Sequence, residues 1–378
     1  MPHLVALDLP GGQEFVDALR HEWDAGHVVM PVDQRLPDPA RRALFDAMQP
    51  DAVLDTSGRT SLDSNDPGRR DALMALEDGD ALVMTTSGST GSPKGAVLTH
   101  DAVRASALAT SRRLGTGSDD TWLACLPLAH VGGLSVVTRA LHSGSGLVVH
   151  DGFHAADVEQ AARDGVTAVS LVATALARID PSLFRVIVLG GSRPPADRPA
   201  HSVATYGMTE TGSGVVYDGV PLEGVEVTFR DGEVLVRCPM LMRGYRNHPS
   251  PIDDDGWLHT GDLGHWLPDG RLQVEGRRGD MIVTGGENVW PEAVESVLAT
   301  HPAVAEVAVA GIADPEWGTV VTAWVVASDT TRPPSLDELR DHVRATLPAF
   351  CAPRRMEIVD VLPRTALGKI QRHRLARD

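Results

Sequence analysis

The sequence predicts an α/β protein: a large multi-sheet N-terminal domain with parallel α/β sheets and a β-rich subdomain, plus a small α+β C-terminal domain. Three observations point there. Short apolar runs such as "ALVMTT" (81–86) and "RVIVLGG" alternate with segments of helical apolar spacing, the pattern of parallel strands covered by helices. Near residue 220 the texture changes to strands of alternating polarity around Asp231-Gly232, a hairpin signal. From Met281 onward helix and strand patterns mix in a segment of roughly a hundred residues, an ordinary domain size.

Taken in order, Asp38-Pro39 reads as an N-cap with proline at the first helical position, opening "PARRALFDAM". "ALVMTT" is a short buried strand. "HDAVRASALATSRRLG" has helical spacing and stops at Gly115. "TWLACLP" follows as a strand, "GGLSVVTRALHSG" as a helix and "GLVVH" as a strand. "HAADVEQAARDG" is a helix, and "TAVSLV" and "RVIVLGG" are strands. "VEVTFRDGEVLVRCP" and "HTGDLGHWLPDGRLQVEGR" are hairpins, the second turning at "PDG". "PEAVESVLATHP" and "SLDELRDHVRATLP" are helices, the latter capped by Ser335, with strands "VAEVAVAGI" and "VVTAWVVAS" between them. The boundary falls at Arg278–Asp280, giving domains 1–278 and 279–378.

Composition narrows the function classes. The 378 residues carry 51 acidic against 34 strongly basic side chains, a net charge of −17. That sign argues against nonspecific binding to nucleic acid or to an anionic membrane, yet leaves room for an anion in a locally basic pocket. Cys125, Cys238 and Cys351 show neither pairing nor metal spacing, which fits a reduced compartment. No apolar stretch is long enough to span a bilayer, and a cytoplasmic location is expected.

Lysine is nearly absent: Lys94 and Lys369 are the two in the chain. Two lysines that escape an arginine bias mark positions where a compact ammonium is needed. Lys94 lies in "TSGSTGSPKG", whose glycines let backbone amides turn inward and whose hydroxyls add donors, a composition suited to a polyphosphate. It is not a Walker A loop, because Pro93 precedes Lys94 and Gly95 follows, so no helix begins there.

This loop resembles the signature of the adenylate-forming superfamily: acyl- and aryl-CoA ligases, peptide-synthetase adenylation domains and firefly-type luciferases. Further motifs follow in that family's order: "LPLAHVGG", "YGMTETG", "GEVLVRCPMLMRGY", "HTGD", "GRRGDMIVTGGENVWPEAVE" and "PRTALGKIQR". The resemblance covers residue 80 to the C-terminus. Departures exist. The region before the loop is shorter than is usual, so a shortened N-terminal subdomain is expected. The hinge position is Gly279, and the aromatic often found before the histidine of "LPLAH" is Ala129.

The resemblance implies two half-reactions, in which a carboxylate attacks the α-phosphate of ATP and a thiol then displaces AMP. Lys369 is implied as the catalytic lysine, bridging carboxylate and phosphate oxygens. Thr86, Ser87, Gly88, Ser89, Thr90, Gly91 and Lys94 are implied to hold the phosphates, with Thr209 at the α-phosphate and Glu210 as magnesium ligand. Gly190, Gly191, Tyr206 and Gly207 would accommodate adenine, while Asp262 and Arg277 would hold the ribose. Gly285 and Gly286 would line the thiol's tunnel after rotation of the C-terminal domain. His130 is implied at the acyl pocket, and "DDD" at 253–255 reads as a solvated turn.

Arg139 stands in an otherwise apolar helical stretch after the His130 motif, and a buried guanidinium needs an anion or hydrogen-bond partners. With "GGENVWPEAVE" and the short chain, this arrangement looks most like the o-succinylbenzoate–CoA ligase branch, in menaquinone biosynthesis, whose acid is an aromatic dicarboxylate. Arg139 would then meet the carboxylate that is not activated. Other acyl- or aryl-CoA ligases, a stand-alone carrier-protein adenylation enzyme and a non-catalytic nucleotide-binding homologue are the alternatives. Expected partners are a small-molecule carboxylate, ATP with Mg2+, and coenzyme A, with no nucleic acid and no membrane insertion. A homodimer is left open.

Only the first half-reaction concentrates charge at phosphorus. Lys369→Ala is therefore expected to lower acyl-adenylate formation by about a hundredfold or more while largely sparing CoA transfer from supplied acyl-adenylate. Equal damage to the two half-reactions, measured separately, would contradict this division of labour.

Overall fold

The computed structural model describes residues 2–62, 72–87, 93–191, 194–195, 197–364 and 370–375. The chain divides into two compact units. One comprises Met1–Thr228, Leu235–His259 and Pro268–Leu272; the other comprises Phe229–Val234, Thr260–Leu267 and Gln273–Asp378.

The first unit begins with an element order that the sequence patterns did not bring out. Strands Leu4–Asp8 and Val28–Pro31 pair in parallel, joined by helix Gln13–Asp24, a βαβ unit. Leu4, Val5, Ala6 and Leu7 have no exposed surface, which is why this strand is a continuous apolar run without alternation. These strands belong to a seven-stranded sheet in the order Gly244–Tyr245, Pro93–Thr99, Asp80–Ser87, Val28–Pro31, Leu4–Asp8, Ala52–Asp55 and Gly58–Ser61. A second seven-stranded sheet runs Val220–Pro221, Ser213–Tyr217, Ser202–Met208, Val186–Leu189, Ala168–Leu171, Thr121–Ala124 and Gly146–Val149. Five of these strands, from Ser202–Met208 to Gly146–Val149, are parallel, and Ser213–Tyr217 is the first antiparallel addition.

Helices His100–Leu114 and Val131–Ser143 pack against each other, and Trp122, Leu134, Val136 and Val137 join one apolar core with Leu82, Met84 and Leu98. The first helix is capped by Thr99, whose hydroxyl accepts from Ala102 N at 3.1 Å, and it ends on Gly115 in the left-handed region. One expected detail is corrected. Helix Asp38–Met48 has Pro37 as N-cap, so Asp38 is the first helical residue and Pro39 the second. The acidic side chain suits the first turn as well as the cap.

In the second unit, strands Val304–Asp314 and Gly318–Ala327 form a long antiparallel pair extended by Arg355–Ile358. Helices Pro291–Leu298 and Leu336–Arg344 contribute Val294, Leu298, Leu339 and Val343 to its core. Ser335 and Glu338 complete a reciprocal capping box, as expected for that helix start. The Asp231-Gly232 turn has φ of 51° and 76°, the geometry of a primed hairpin turn. Among the described residues, no helix is long and apolar enough to cross a membrane.

The glycine pair of "HVGG" has a steric basis at one of its positions. A Cβ on Gly133 would lie 2.4 Å from Pro127 O and 2.5 Å from Leu126 O, backbone atoms that cannot swing aside. At Gly132 the nearest such contact is Leu126 Cδ1 at 3.7 Å. Gly133→Ala is expected to destabilise by about 1–3 kcal/mol through overpacking, even though alanine favours a helix by about 1 kcal/mol. Gly132→Ala should be neutral or stabilising. Chemical denaturation of both variants checks the pair; equal midpoints would remove the steric explanation.

Candidate active site

The lysine of the glycine-rich loop sits on a strand. Asp80–Ser87 and Pro93–Thr99 pair antiparallel with Thr86 opposite Lys94. Gly88, Ser89, Thr90 and Gly91 lie outside the described residues, as do the side chain of Ser87 and the whole of Lys369. Asn247 pins the returning strand: it donates to Pro93 O at 2.9 Å and accepts from Gly95 N at 3.2 Å. Gly95 is closely packed: a Cβ would come within 2.5 Å of Met48 Sδ and 2.9 Å of Val83 Cγ1, so those side chains would have to shift.

Next to that strand, Gly244–Tyr245 pairs with residues 96–97 and places the Tyr245 ring beside Lys94, whose Nζ is 5.3 Å from the ring centroid. The Tyr245 hydroxyl donates to Glu210 Oε1. One aromatic ring therefore links the loop lysine to the expected magnesium ligand. Tyr245 was absent from the expected site residues, although it closes the quoted motif "GEVLVRCPMLMRGY".

Glu210 lies in a short 3-10 turn, Thr209–Thr211, that follows the strand Ser202–Met208. Thr211 is fully buried; its hydroxyl accepts from Met208 N at 3.0 Å and lies 2.7 Å from Ser213 O, which fixes the turn. Gly190 and Gly191 follow the neighbouring parallel strand Val186–Leu189, and Gly191 has φ 85°. Gly190, Gly191, Tyr206, Gly207, Thr209 and Glu210 thus gather at the carboxyl ends of adjacent parallel strands, where α/β sheets bind ligands. Gly207 is required sterically: a Cβ would lie 2.2 Å from Ser213 O.

His130 is the N-cap of helix Val131–Ser143 but makes no side-chain cap. Its Nε2 instead lies 3.0 Å from Asp33 Oδ2, while Arg35 holds the same carboxylate through Nε at 2.8 Å and NH2 at 2.7 Å. Arg35 NH2 is 3.4 Å from His130 Nε2. A ring nitrogen cannot donate to Asp33 and accept from Arg35 at once, and the shorter contact makes Nε2–H the donor. Asp33 is 7% exposed. Burial alone would raise its pKa, but hydrogen bonds from Arg35 and His130 outweigh that and hold the carboxyl well below the ordinary range. Asp33 and Arg35 carry no local sequence signal, being 97 and 95 residues from His130.

Arg139 is 2% exposed, with its guanidinium carbon 4.4 Å from the Trp122 ring centroid. Its Nε and NH1 are buried with no hydrogen-bond partner among the described residues, and burial pushes its pKa down. The stretch that reads as a helix bearing a buried guanidinium is so, and no acceptor for Nε or NH1 stands among the described residues.

In the second unit, the two residues expected at the ribose are partners. Arg277 Nε lies 2.8 Å from Asp262 Oδ1, and Arg277 NH1 donates to Thr260 O at 2.8 Å. Asp262 is buried on a strand and is not a surface turn residue. Gly285 and Gly286, with φ of 58° and 87°, form the turn between strands Ile282–Thr284 and Glu287–Val289. A Cβ at Gly285 would meet the Trp317 ring at 2.9 Å. Gly279 lies in the 3-10 turn Arg278–Asp280 outside the left-handed region, with open space around its missing Cβ. The "DDD" segment is a turn in which Asp253 Oδ1 accepts from Asp255 N and Trp257 N.

A glycine-rich segment between two paired strands, a carboxylate at the carboxyl end of a parallel sheet and a C-terminal α+β module are the features of an adenylating class of protein. This chain belongs to the AMP-binding enzyme family: the family model "AMP-binding enzyme" matches residues 3–246, and "AMP-binding enzyme C-terminal domain" matches residues 293–369. A probable 2-succinylbenzoate–CoA ligase of Mycobacterium tuberculosis (strain ATCC 25618 / H37Rv) is 42% identical over 328 residues, which are 80% of this chain and 85% of that protein. Among solved structures, the o-succinylbenzoate CoA synthetase of Bacillus subtilis in complex with its acyl-adenylate intermediate has TM-score 0.87 at 31% identity. That match covers 100% of this chain and 88% of that one. The same Bacillus subtilis enzyme in complex with ATP and magnesium ion has TM-score 0.86 at 30% identity, covering 100% and 89%.

Asp33→Asn tests the His130 cluster. A depressed carboxyl pKa gives stability that is complete above the ordinary value of 3.8 and is lost as pH falls toward the folded-state value. The variant should therefore lose about 1–3 kcal/mol at neutral pH, from weakened charge-assisted hydrogen bonds. Its deficit should shrink as pH drops below 3.8. Denaturation curves across pH check this; a deficit that does not vary with pH would show that the Asp33 charge is not the source.

Proposed function

We propose that this chain is an ATP-dependent, AMP-forming acid–CoA ligase that converts 2-succinylbenzoate to 2-succinylbenzoyl-CoA in menaquinone biosynthesis, in the cytoplasm. The observation that carries the reading is the likeness, over the whole chain, to a synthetase holding that acid's adenylate, coupled with the Lys94–Tyr245–Glu210 chain in this protein.

In the first half-reaction a carboxylate oxygen of the acid bonds to the α-phosphorus of ATP and pyrophosphate leaves. In the second, the CoA sulfur bonds to the acyl carbon, losing its proton, and AMP leaves. Lys94 and the loop 86–91 hold the departing phosphates, Thr209 contacts the α-phosphate, and Lys369 bridges the reacting oxygens. Tyr206 and the glycines 190, 191 and 207 admit adenine, and Asp262 accepts the ribose hydroxyls, held in place by Arg277. Mg2+ takes one or two carboxylates with substrate phosphates and water, and Glu210 supplies one. No group of three or more His, Cys, Asp or Glu side chains placed to hold a metal ion occurs among the described residues. Bound at Glu210, Mg2+ neutralises phosphate charge. Rotation about Gly279 exchanges Lys369 for the face bearing Gly285 and Gly286.

Arg139 supports the choice of acid. Its buried Nε and NH1 lack partners among the described residues and leave hydrogen-bonding capacity for the second carboxylate of a dicarboxylate. His130, set by Asp33, lies at the start of the same helix and borders the acyl pocket.

Pyrophosphate release with ATP and a panel of carboxylic acids, with and without CoA, tests the reaction. Arg139→Ala should lower kcat/KM for 2-succinylbenzoate by roughly two to three orders of magnitude, leaving KM for ATP nearly unchanged. A monocarboxylate analogue should react equally poorly with both proteins. A parent enzyme that prefers the monocarboxylate would overturn the choice of acid and leave the ligase reading standing.

A further inference from the structure

We propose that Arg372 is the positioning residue for Lys369, tying the chain just after the lysine to the Asp280 carboxylate next to Gly279. The inference rests on the reading of Lys369 as the adenylation lysine.

The two ends of the segment that contains Lys369 are paired. Arg364 and Ile370 form an antiparallel bridge, and Gln371 N donates to Pro363 O at 2.8 Å. Leu362 is 2% exposed in a small core with Ala308, Ala310 and Trp324, and Ile370 packs against it. Both ends of residues 365–369 are thus seated on the strand pair Val304–Asp314 and Gly318–Ala327.

Arg372, three positions after Lys369, points inward at 19% side-chain exposure. Nε donates to Val309 O at 3.1 Å, NH2 lies 2.8 Å from Glu295 Oε2, and NH1 lies 3.0 Å from Glu292 Oε1 and 3.1 Å from Asp280 Oδ2. One guanidinium therefore ties together the strand Val304–Asp314, two residues of helix Pro291–Leu298, and the turn Arg278–Asp280. A single terminal lysine would meet these groups as a point charge, whereas the planar fork meets them in fixed directions. Three carboxylates around one cation leave excess negative charge. Burial is the main cause that pushes the Glu295 pKa up, against the opposing pull of Arg372.

The consequence is mechanical. Asp280 is the residue after Gly279, so the connection joins Arg372 and the start of the module in one set of contacts. A rotation about Gly279 then carries Lys369 by a defined path, and loss of the connection loosens its placement relative to the hinge. Misplacement of a group near the reacting atoms by about 1 Å can cost about a hundredfold in rate. Only the half-reaction that uses Lys369 should suffer.

The experiment uses the full chain, measuring acid-dependent ATP–pyrophosphate exchange and, separately, CoA thioester formation from supplied acyl-adenylate. Arg372→Ala should lower kcat for exchange by about tenfold or more, with KM for ATP and the second half-reaction changed less than about threefold. Arg372→Lys should restore only part of the loss. Asp280→Asn removes the charge from the hinge connection while leaving Arg372 paired with both glutamates, so it serves where the alanine variant unfolds. It should lower exchange by about threefold at an unchanged thermal midpoint. Proportional loss of both half-reactions in Arg372→Ala and Asp280→Asn would make Arg372 purely structural. Parent-level exchange in both variants, with exchange lost in Lys369→Ala, would overturn this inference alone. Exchange retained in Lys369→Ala would overturn the reading of the lysine and this inference with it.

Discussion

The hydrogen bond from Tyr245 to Glu210 is the constraint around which the first unit's site is arranged. Tyr245 can reach Glu210 only because a two-residue strand, Gly244–Tyr245, adds to the edge of one sheet. Glu210 is in position only because a 3-10 turn stops the strand of the other sheet at Met208. The same backbone stretch closes the arrangement, with Met242 N donating to Glu210 O at 2.8 Å. Two sheets that share one apolar core thereby present a cation and an anion to the same aromatic residue. An ammonium and a carboxylate that met directly would neutralise each other; here a phenol stands between them.

Much of this order was legible in the chain. The hairpins around Asp231-Gly232 and "PDG", the cap at Ser335 and the helix stop at Gly115 all follow from local chemistry, because a turn or a cap is decided by a few adjacent residues. The mixed α/β class followed from the rhythm of apolar runs. The opening βαβ unit did not, because "LVALD" is too short to tell a buried strand from a helix turn by periodicity. Helix boundaries slipped by one residue at Asp38, where a cap and a first-turn acid look alike.

The site divides in the same way. Residues inside contiguous motifs could be named, and several of them stand together: Tyr206, Gly207, Thr209 and Glu210 on one strand end, and Asp262 with Arg277 across a hairpin. What escaped were the partners that such residues acquire through folding. Asp33 and Arg35 reach His130 from a different strand region, and Asn247 holds the foot of a loop more than 150 residues upstream. No spacing rule joins such pairs, because the sheet topology sets them. Steric glycines are similar. Gly133 and Gly207 look like ordinary motif glycines until the carbonyls of Pro127 and Ser213 are seen where a Cβ would go.

The scarcity of lysine has a practical consequence. Arginine side chains carry every other strong positive charge, so a reagent directed at side-chain primary amines meets just Lys94 and Lys369. Lys94 is shielded on one side by the Tyr245 ring. Isotope-coded amine labelling therefore reports on the two positions separately by peptide mass, against no surface background from other lysines. The protein's own composition makes it a two-channel sensor, with one channel on each side of the segment at Gly279.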